Sequence, residues 1–189
     1  MTQSQFSSLQ TPLQRALSLI ADVPDYPKPG ILFKDITPLL ADGPGFGVVI
    51  DEFARSIRAL NVGVDAIVGI ESRGFILGGA IAKALEIGFV TVRKPGKLPR
   101  DVYRKEYALE YGFDALELHK DLLSKGDNVI IVDDVLATGG TALACHDLVH
   151  ITGANVVAHL FMLEIEFLKG REVISQTHPE VEIISLLKA

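Results

Sequence analysis

One segment near the middle of the chain limits the folds that this sequence can adopt. It runs VIIVDDVLATGGT over residues 129–141. Four consecutive β-branched residues predict a fully buried strand, and the small residues behind the two acids predict a tight loop that enters a helix. A buried strand followed by such a loop and a helix is typical of a parallel α/β sheet, in which ligands bind at the carboxyl ends of the strands.

The loop from Ala137 to Thr141 is suited to an anion. It supplies consecutive backbone N–H groups and two threonine hydroxyls at a helix N-terminus, whose dipole favours negative charge. Two carboxylates would repel a bare phosphate, but they accept hydrogen bonds from the hydroxyl groups of a sugar. The segment therefore predicts a ribose 5-phosphate site, which consists of Asp133, Asp134, Ala137, Thr138, Gly139, Gly140 and Thr141.

Hydrophobic periodicity predicts the elements on either side of this segment. Helices are expected from a capping box at Thr11, over 45–61, over about 74–85 and up to about Gly153. Strands are expected at 65–70, 88–93, 129–132, 156–163 and 181–187. Alternating residues between Tyr107 and Leu118 predict a two-stranded hairpin. The alternation of strands and helices predicts an α/β fold with a mainly parallel twisted sheet flanked by helices.

Length and composition narrow the class of protein. The 189 residues suit a single domain over 1–189, and the net charge of −6 disfavours a nucleic-acid partner. No apolar stretch approaches the roughly 20 residues of a membrane span, so no membrane partner is expected.

The single cysteine, Cys145, suggests a packed residue in a reducing cytoplasm. His146 and His150 are four residues apart on a helix, which is weak evidence for a metal site without a third ligand.

A basic stretch supplies candidate phosphate ligands. Six Lys or Arg residues fall between Arg93 and Lys105. Taken alone, such a stretch is compatible with a solvated loop. Arg73, immediately ahead of a predicted helix, is a stronger candidate, since a guanidinium binds phosphate through two parallel hydrogen bonds.

Five separate motifs resemble, in the same order, those of the type I phosphoribosyltransferase family, and within it the enzymes that use adenine. Residues 129–141 resemble the family's phosphoribosyl pyrophosphate motif. The others are PDYPKPGILFKDITP at 24–38, ESRGF at 71–75, RKPGKLP at 93–99 with LEYG at 109–112, and Glu164 with LKGR at 168–171. The resemblance covers about residues 13–187. It implies transfer of the 5-phosphoribosyl group from phosphoribosyl pyrophosphate to adenine, which gives AMP and pyrophosphate in purine salvage.

The resemblance also implies a role for each motif. Glu110 would be the catalytic residue that manages the proton of the purine imidazole ring, with Tyr111 beside it on a mobile loop over about 94–112. Residues 1–38 would form a small N-terminal hood at the purine site. Pyrophosphate would contact Ser72, Arg73, Lys94 and Lys97. Adenine would contact Leu32, Phe33, Lys34 and Ile165.

The same resemblance implies a cofactor and an assembly. Mg²⁺ would neutralise the leaving pyrophosphate while bound mainly through phosphoribosyl pyrophosphate and water, because no clustered Asp/Glu cage is visible in the sequence. No protein-held metal site is expected. The resemblance further implies a homodimer.

Two other functions stay open. A ligand-sensing regulator could retain the fold without turnover, although such regulators usually need a nucleic-acid-binding part, against which the negative charge argues. A xanthine or other purine phosphoribosyltransferase is the second alternative. A 6-oxopurine calls for a hydrogen-bond donor, often a lysine after the penultimate strand. Here that strand ends in LEIE at 163–166, with no lysine before Lys169, which favours adenine.

Two local features are also expected. Consecutive amides after strand 65–70 must turn toward one pyrophosphate, and together with the resemblance this predicts a cis peptide bond between Glu71 and Ser72. Residues 94–108 are charged and carry Pro95, Gly96 and Pro99, so we expect them to be the most mobile internal segment without ligand. Pro95 departs from the polar or basic residue expected there.

Overall fold

The computed structural model describes residues 10–108 and 112–189, except for the side chain of Ala108. The chain divides into two compact units, residues 1–59 and 60–189. The catalytic candidates Glu110 and Tyr111 lie outside the described residues.

From residue 10 onward, the first unit combines three helices with a small antiparallel strand pair. Its elements are α1 (Pro12–Leu17), β1 (Ala21–Pro24), β2 (Leu32–Asp35), α2 (Thr37–Ala41) and α3 (Gly43–Ala59). The capping box predicted at Thr11 is confirmed, because the Thr11 hydroxyl accepts a hydrogen bond from Gln14 N and the Gln14 side chain accepts one from Thr11 N. In α3, the apolar stripe that includes Val49, Phe53 and Ile57 is buried, as its helical spacing predicts.

The proline-punctuated segment of this unit forms the strand pair. Its prolines are incompatible with a regular helix, and the structure shows β1 and β2 in antiparallel register, with the Tyr26–Pro27 bond in cis. The register places Asp22 opposite Lys34, and their side chains form an ion pair at 2.7 Å. The chain therefore presents Leu32 to Lys34 on a short strand.

The second unit contains a five-stranded parallel sheet, which confirms the predicted fold class. Its strands are β3 (Ala66–Ile70), β4 (Gly88–Val92), β7 (Asn128–Leu136), β8 (Asn155–Glu164) and β9 (Glu182–Lys188), in the order β4-β3-β7-β8-β9. β7 continues four residues beyond the predicted end at Val132. Asp133 and Asp134 are therefore part of the strand rather than residues that follow it.

Helices cover this sheet and complete its core. They are α4 (Arg73–Leu85), α5 (Gly140–Thr152) and α6 (Gly170–Thr177), with a 3-10 turn at Glu166–Leu168. Val68, Ile131 and Leu148 are fully buried in one cluster that joins β3, β7 and α5. Burial of each such side chain stabilises the fold by about 1.5–3 kcal/mol, which explains why this apolar strand lies at the centre of the sheet. Among the helices of the described residues, none has the length and apolar character of a membrane span.

An antiparallel hairpin is inserted between β4 and β7. Its strands are β5 (Val102–Ala108) and β6 (Phe113–His119). The predicted hairpin is confirmed, but its first strand begins earlier than the alternation around Tyr107 indicates. A further bridge pairs Arg93 with Glu117, and it joins the basic stretch to β6.

Candidate active site

The loop after β7 encloses a cavity of about 70 Å³. It is lined by residues 135–142 together with Asp133 and Phe161. Gly139 has φ +86°, which only glycine adopts without strain, and this turn brings the loop into the first turn of α5. A volume of this size exceeds that of one water molecule, and its position at a helix N-terminus suits an oxyanion.

The phosphate loop, defined as Ala137–Thr141, is supported from behind by the start of α6. A Cβ atom on Gly139 would lie 3.0 Å from the Gly170 carbonyl oxygen, so the two backbones are in close contact. Ile165 N donates a hydrogen bond to Leu136 O at 2.9 Å. The loop is thus held on a rigid frame, as a site that recognises its ligand through backbone N–H groups requires.

The two carboxylates of β7 differ in their surroundings. Asp134 is buried and forms an ion pair with Arg73, the first residue of α4. Asp133 lines the cavity, and its Oδ1 accepts a hydrogen bond from Asp134 N at 2.9 Å. Burial, and then the charge of Asp134, raise the pKa of Asp133 well above its usual value. A carboxylate in this position gains from sugar hydroxyls, which can replace the lost water.

Glu71 organises part of the basic stretch. Its carboxylate accepts hydrogen bonds from Lys97 Nζ at 2.5 Å, Lys94 N at 3.0 Å and Arg93 Nε at 3.3 Å. Burial alone would raise the pKa of Glu71, but these three donors outweigh that effect and hold it below its usual value. The Glu71–Ser72 peptide bond is cis, which confirms the sequence prediction. Ser72 itself is exposed at the start of α4.

Lys94 faces the hairpin. Its Nζ pairs with Asp114 and donates a hydrogen bond to the Tyr107 hydroxyl at 3.0 Å. Burial would lower the pKa of Lys94, but the hydrogen bonds with Asp114 and Tyr107 outweigh it and hold the pKa above its usual value. The Tyr107 hydroxyl also lies 3.5 Å from Thr141 Oγ1. A candidate pyrophosphate ligand and the phosphate loop therefore meet at one hydroxyl.

The C-terminal motif forms a partly buried ion pair. Arg171 Nε donates to both oxygens of Glu164, at 2.9 and 3.0 Å, and Arg171 Nη2 adds a bond at 2.6 Å. The Ser185 hydroxyl also donates to Glu164, at 2.6 Å. The pair fixes α6 to the end of β8, and Ile165, half-buried, follows directly at the same edge of the sheet.

The candidate adenine residues of the first unit form one strand. Leu32 is exposed, and the Phe33 ring contacts the Tyr26 ring edge to face at 5.2 Å between centroids. Lys34 is paired with Asp22. Within the second unit, the structure brings Arg73 together with Asp134 of β7. It links Lys94 to the phosphate loop through the Tyr107 hydroxyl.

The histidine pair named in the sequence analysis does not form. His146 is buried and His150 exposed. His146 instead stacks on His178 at 3.6 Å between ring centroids and lies 3.2 Å from His159, Nδ1 to Nε2. In the part of the chain that the structure describes, no group of three His, Cys, Asp or Glu side chains is placed to hold a metal ion. Cys145 is fully buried, and burial raises the pKa of its thiol well above the usual value.

Sequence analysis did not identify three residues that contribute to the site. Glu71, Tyr107 and Asp114 were noted only as parts of motifs or patterns, yet they hold the cations of the basic stretch. Glu71 could have been found from its place directly after a buried strand, where functional carboxylates collect. The pairing of Tyr107 with Asp114 depends on hairpin register, which side-chain alternation alone left open.

The model of the family described as "phosphoribosyl transferase domain" matches residues 39–166. An adenine phosphoribosyltransferase of Nocardioides sp. is 56% identical over 164 residues, which cover 86% of this chain and 89% of the relative.

The chain is also similar in sequence and fold to solved structures. The adenine phosphoribosyltransferase of Thermoanaerobacter pseudethanolicus is 45% identical with a TM-score of 0.87, and the match covers 94% of this chain and 99% of that one. The Saccharomyces cerevisiae adenine phosphoribosyltransferase, complexed with an imino-altritol bisphosphate and adenine, is 40% identical with a TM-score of 0.88. That match covers 93% of this chain and 98% of the yeast one.

Proposed function

The chain belongs to the phosphoribosyltransferase family, and on that premise we propose that it transfers the 5-phosphoribosyl group from phosphoribosyl pyrophosphate to adenine. The products are AMP and pyrophosphate. The observation that carries this function is the cavity at the phosphate loop, with Asp133 on its wall and Arg73 paired to the adjacent Asp134. It combines acceptors for a sugar diol, donors for a phosphate and a cation for a second phosphate group.

The ribose 5-phosphate occupies the phosphate loop in this proposal. Its phosphate oxygens accept hydrogen bonds from the backbone N–H groups and the hydroxyls of Thr138 and Thr141, and each charge-assisted bond contributes about 1.5–3 kcal/mol. The ribose hydroxyls donate to Asp133 and Asp134. The ion pair of Asp134 with Arg73 supports this, because sugar hydroxyls and a guanidinium can share one carboxylate.

In this proposal, the leaving pyrophosphate contacts residues at the start of α4 and in the basic stretch. Ser72 and Arg73 lie at the start of α4, and Lys94 and Lys97 lie in the basic stretch. Each lysine is paired with a carboxylate of the same unit, Lys94 with Asp114 and Lys97 with Glu71. Such pairing limits the repulsion among cations before substrate binds. Although burial opposes this, the pKa of Lys94 is held above its usual value by Asp114 and Tyr107, so its ammonium group is available to the leaving group.

Adenine binds through Leu32, Phe33, Lys34 and Ile165 in this proposal. Stacking on the Phe33 ring and an apolar contact from Ile165 suit a planar base. The exocyclic amine of adenine donates to backbone carbonyl groups of the strand that carries Leu32 and Lys34. The fold-level likeness to a protein complexed with adenine supports this choice over a 6-oxopurine.

Catalysis depends on positioning and on charge. The N9 atom of adenine forms a bond to the anomeric carbon as the bond from that carbon to the pyrophosphate oxygen breaks, and the proton on the imidazole ring passes to Glu110. The family resemblance assigns Tyr111, the next residue in the sequence, to the same loop. Because the transition state carries positive charge on the sugar and negative charge on the leaving group, fixed dipoles and cations stabilise it more than the substrate.

In this proposal, Mg²⁺ enters the site bound to the substrate. It is a hard cation that prefers oxygen ligands and retains several water molecules, and here phosphoribosyl pyrophosphate supplies most of its ligands. Asp133 is half-buried and lines the cavity, and its carboxylate would accept a hydrogen bond from a metal-bound water. When bound, the ion neutralises charge on the departing pyrophosphate.

The family resemblance also supports a homodimer that works in the cytoplasm. Light scattering on the purified protein tests the first part, and a mass of twice the 20.4 kDa chain is expected.

One assay tests the function. Purified protein is mixed with phosphoribosyl pyrophosphate, Mg²⁺ and, in turn, adenine, hypoxanthine, guanine and xanthine, and nucleotide and pyrophosphate are quantified. Only adenine should react. Turnover with xanthine in place of adenine would identify a different purine enzyme, and ligand binding without turnover on any base would favour the ligand-sensing regulator.

A matched pair of variants localises the activity. Arg73→Gln should raise the KM for phosphoribosyl pyrophosphate about tenfold or more, since it removes a charged hydrogen-bond donor. Arg100→Gln changes an exposed arginine of the basic stretch, paired with Asp121, and should leave the KM unchanged. Equal effects of the two variants would contradict the proposed pyrophosphate site.

A further inference from the structure

The Tyr107 hydroxyl lies where three separate segments of the second unit meet. It accepts a hydrogen bond from Lys94 Nζ at 3.0 Å and donates one to Asp114 Oδ2 at 3.2 Å. Thr141 Oγ1 donates to it at 3.5 Å. A phenol hydroxyl has one proton to donate and two lone pairs that accept, so these three partners use its entire capacity.

The register of the hairpin explains this convergence. Tyr107 on β5 is the direct partner of Asp114 on β6 in the antiparallel ladder. The Tyr107 ring also packs against the buried cluster that joins β3, β7 and α5. The buried cluster therefore holds the Tyr107 ring, and the hydroxyl is fixed beside the ammonium group of Lys94.

We propose that Tyr107 is a positioning residue, which holds Lys94 at the pyrophosphate subsite. This inference rests on the proposed function, in which Lys94 contacts the leaving pyrophosphate. As the polyphosphate binds, the Lys94 ammonium exchanges Asp114 for a phosphate oxygen. Tyr107 remains its second partner throughout and limits the volume that the flexible lysine side chain explores.

Tyr107 contributes more than packing, because its hydroxyl orients the charged side chain of Lys94. A lysine side chain loses considerable rotamer entropy when it is immobilised, and a hydroxyl that orients it before substrate arrives reduces that loss at binding. The contribution should be specific to ligands that reach Lys94. AMP contacts the phosphate loop without a pyrophosphate group, so its affinity should depend little on Tyr107.

The chain offers a matched control. Tyr107→Phe removes one hydroxyl oxygen and keeps the ring. Tyr103→Phe makes the same change four residues earlier on the same face of β5, where the ring packs against the same buried cluster and Lys120 Nζ lies 5.5 Å from its centroid. Both variants are compared with the wild-type enzyme in KM for each substrate, in kcat, in affinity for pyrophosphate and for AMP, and in Tm.

The expected result is a split between ligands. Tyr107→Phe should raise the KM for phosphoribosyl pyrophosphate and weaken pyrophosphate binding, each about tenfold, as the loss of one hydrogen bond to a charged group predicts. The KM for adenine, the affinity for AMP and the Tm should remain near wild type, and Tyr103→Phe should match wild type throughout. Unchanged pyrophosphate affinity in Tyr107→Phe, or an equal loss of AMP affinity, would overturn the inference.

A double-mutant cycle with Lys94→Met makes the test independent of any general loss of stability. If Tyr107 acts through Lys94, then Tyr107→Phe should weaken pyrophosphate binding no further in the Lys94→Met background. Additive losses would refute the coupling even if Tyr107→Phe lowers the Tm. Failure of the proposed function is distinguishable, because the wild-type protein would then form no AMP from adenine and phosphoribosyl pyrophosphate.

Discussion

Gly170, the first residue of α6, lies directly against the carbonyl oxygen of Ala137 in the phosphate loop. A Cβ atom on Gly170 would stand 2.3 Å from that oxygen and 3.0 Å from Gly139 N. Neither neighbour is a side chain that could turn away, so only glycine permits this approach. A residue of the C-terminal motif therefore sets the shape of a loop more than thirty residues earlier.

Gly170→Ala should distort the phosphate loop. Overpacking against backbone costs about 1–3 kcal/mol, and the displacement of Ala137 moves the N–H groups that bind the phosphate. We expect a lower Tm and weaker AMP binding in calorimetric titrations. Gly79→Ala on α4, where a Cβ meets nothing within 4 Å, is the control and should be neutral or slightly stabilising, since alanine favours helix. AMP affinity equal to wild type in Gly170→Ala would show that the loop tolerates the shift.

Arg171→Met should destabilise the second unit. Among the described residues, it leaves the buried Glu164 carboxylate with the Ser185 hydroxyl as its side-chain hydrogen-bond donor and with the charge of Lys188 nearby. The expected loss in the free energy of unfolding is about 2 kcal/mol, below the range for fully buried pairs because a third of the Arg171 side chain is exposed. Lys169→Met breaks the exposed pair with Glu172 and should change stability by less than about 0.5 kcal/mol in the same urea titrations.

The same ion pair predicts a pH dependence. The Arg171 hydrogen bonds hold the pKa of Glu164 below its usual value, so its stabilising effect is present above the unfolded pKa near 4.5 and is lost as the pH falls through the folded pKa. Arg171→Met should make the free energy of unfolding fall less steeply at acid pH. A fall as steep as that of wild type would mean that other carboxylates account for the pH dependence.

Glu110→Ala should lower kcat far more than it weakens AMP binding. The proposed proton transfer then lacks its acceptor, and a positioned general base contributes about 10²–10⁴-fold. Glu106→Ala, an exposed acid on β5 paired with Arg104, is the matched control and should retain the wild-type kcat. Steady-state kinetics and AMP titrations on both variants provide the comparison. Near-normal turnover in Glu110→Ala would remove it from the mechanism.

The histidine cluster of His146, His159 and His178 should make the fold sensitive to mild acid. Burial, and then the neighbouring histidines, lower the pKa of His159 to about 3, and burial followed by His178 lowers that of His146 to about 4. Asp147 and Glu180 act in the opposite direction on His146, and His150 in the same direction. Between these values and the unfolded pKa of about 6.5, the unfolded chain binds more protons, so stability falls as the pH is lowered from about 6.5.

Urea titrations between pH 7 and pH 4 test this dependence. Each buried histidine contributes up to about 1.4 kcal/mol per pH unit. His159→Asn should reduce the slope of stability against pH, whereas His150→Asn should change it much less, because His150 is exposed and has the smallest effect on His146. Equal slopes in the two variants would show that the cluster does not control acid sensitivity.

The sequence alone determined most of the fold. Runs of buried residues such as 129–132 and the stripe of α3 follow directly from burial periodicity, so the parallel sheet and its helices were predictable. The phosphate loop was also predictable, because small residues between a strand and a helix form it locally. The strand pair β1–β2 was not, since the proline-rich segment carries no clear alternation.

The tertiary structure alone decided which distant residues meet. Sequence analysis found Arg73 and Asp134 separately, but their ion pair depends on the way α4 follows β3 and reaches the end of the neighbouring strand β7. Likewise, Tyr107 reaches Lys94 only through the register of the hairpin. Local pattern encodes which face of an element is apolar, whereas a pair contact depends on strand order, register and close backbone approaches that no single segment specifies.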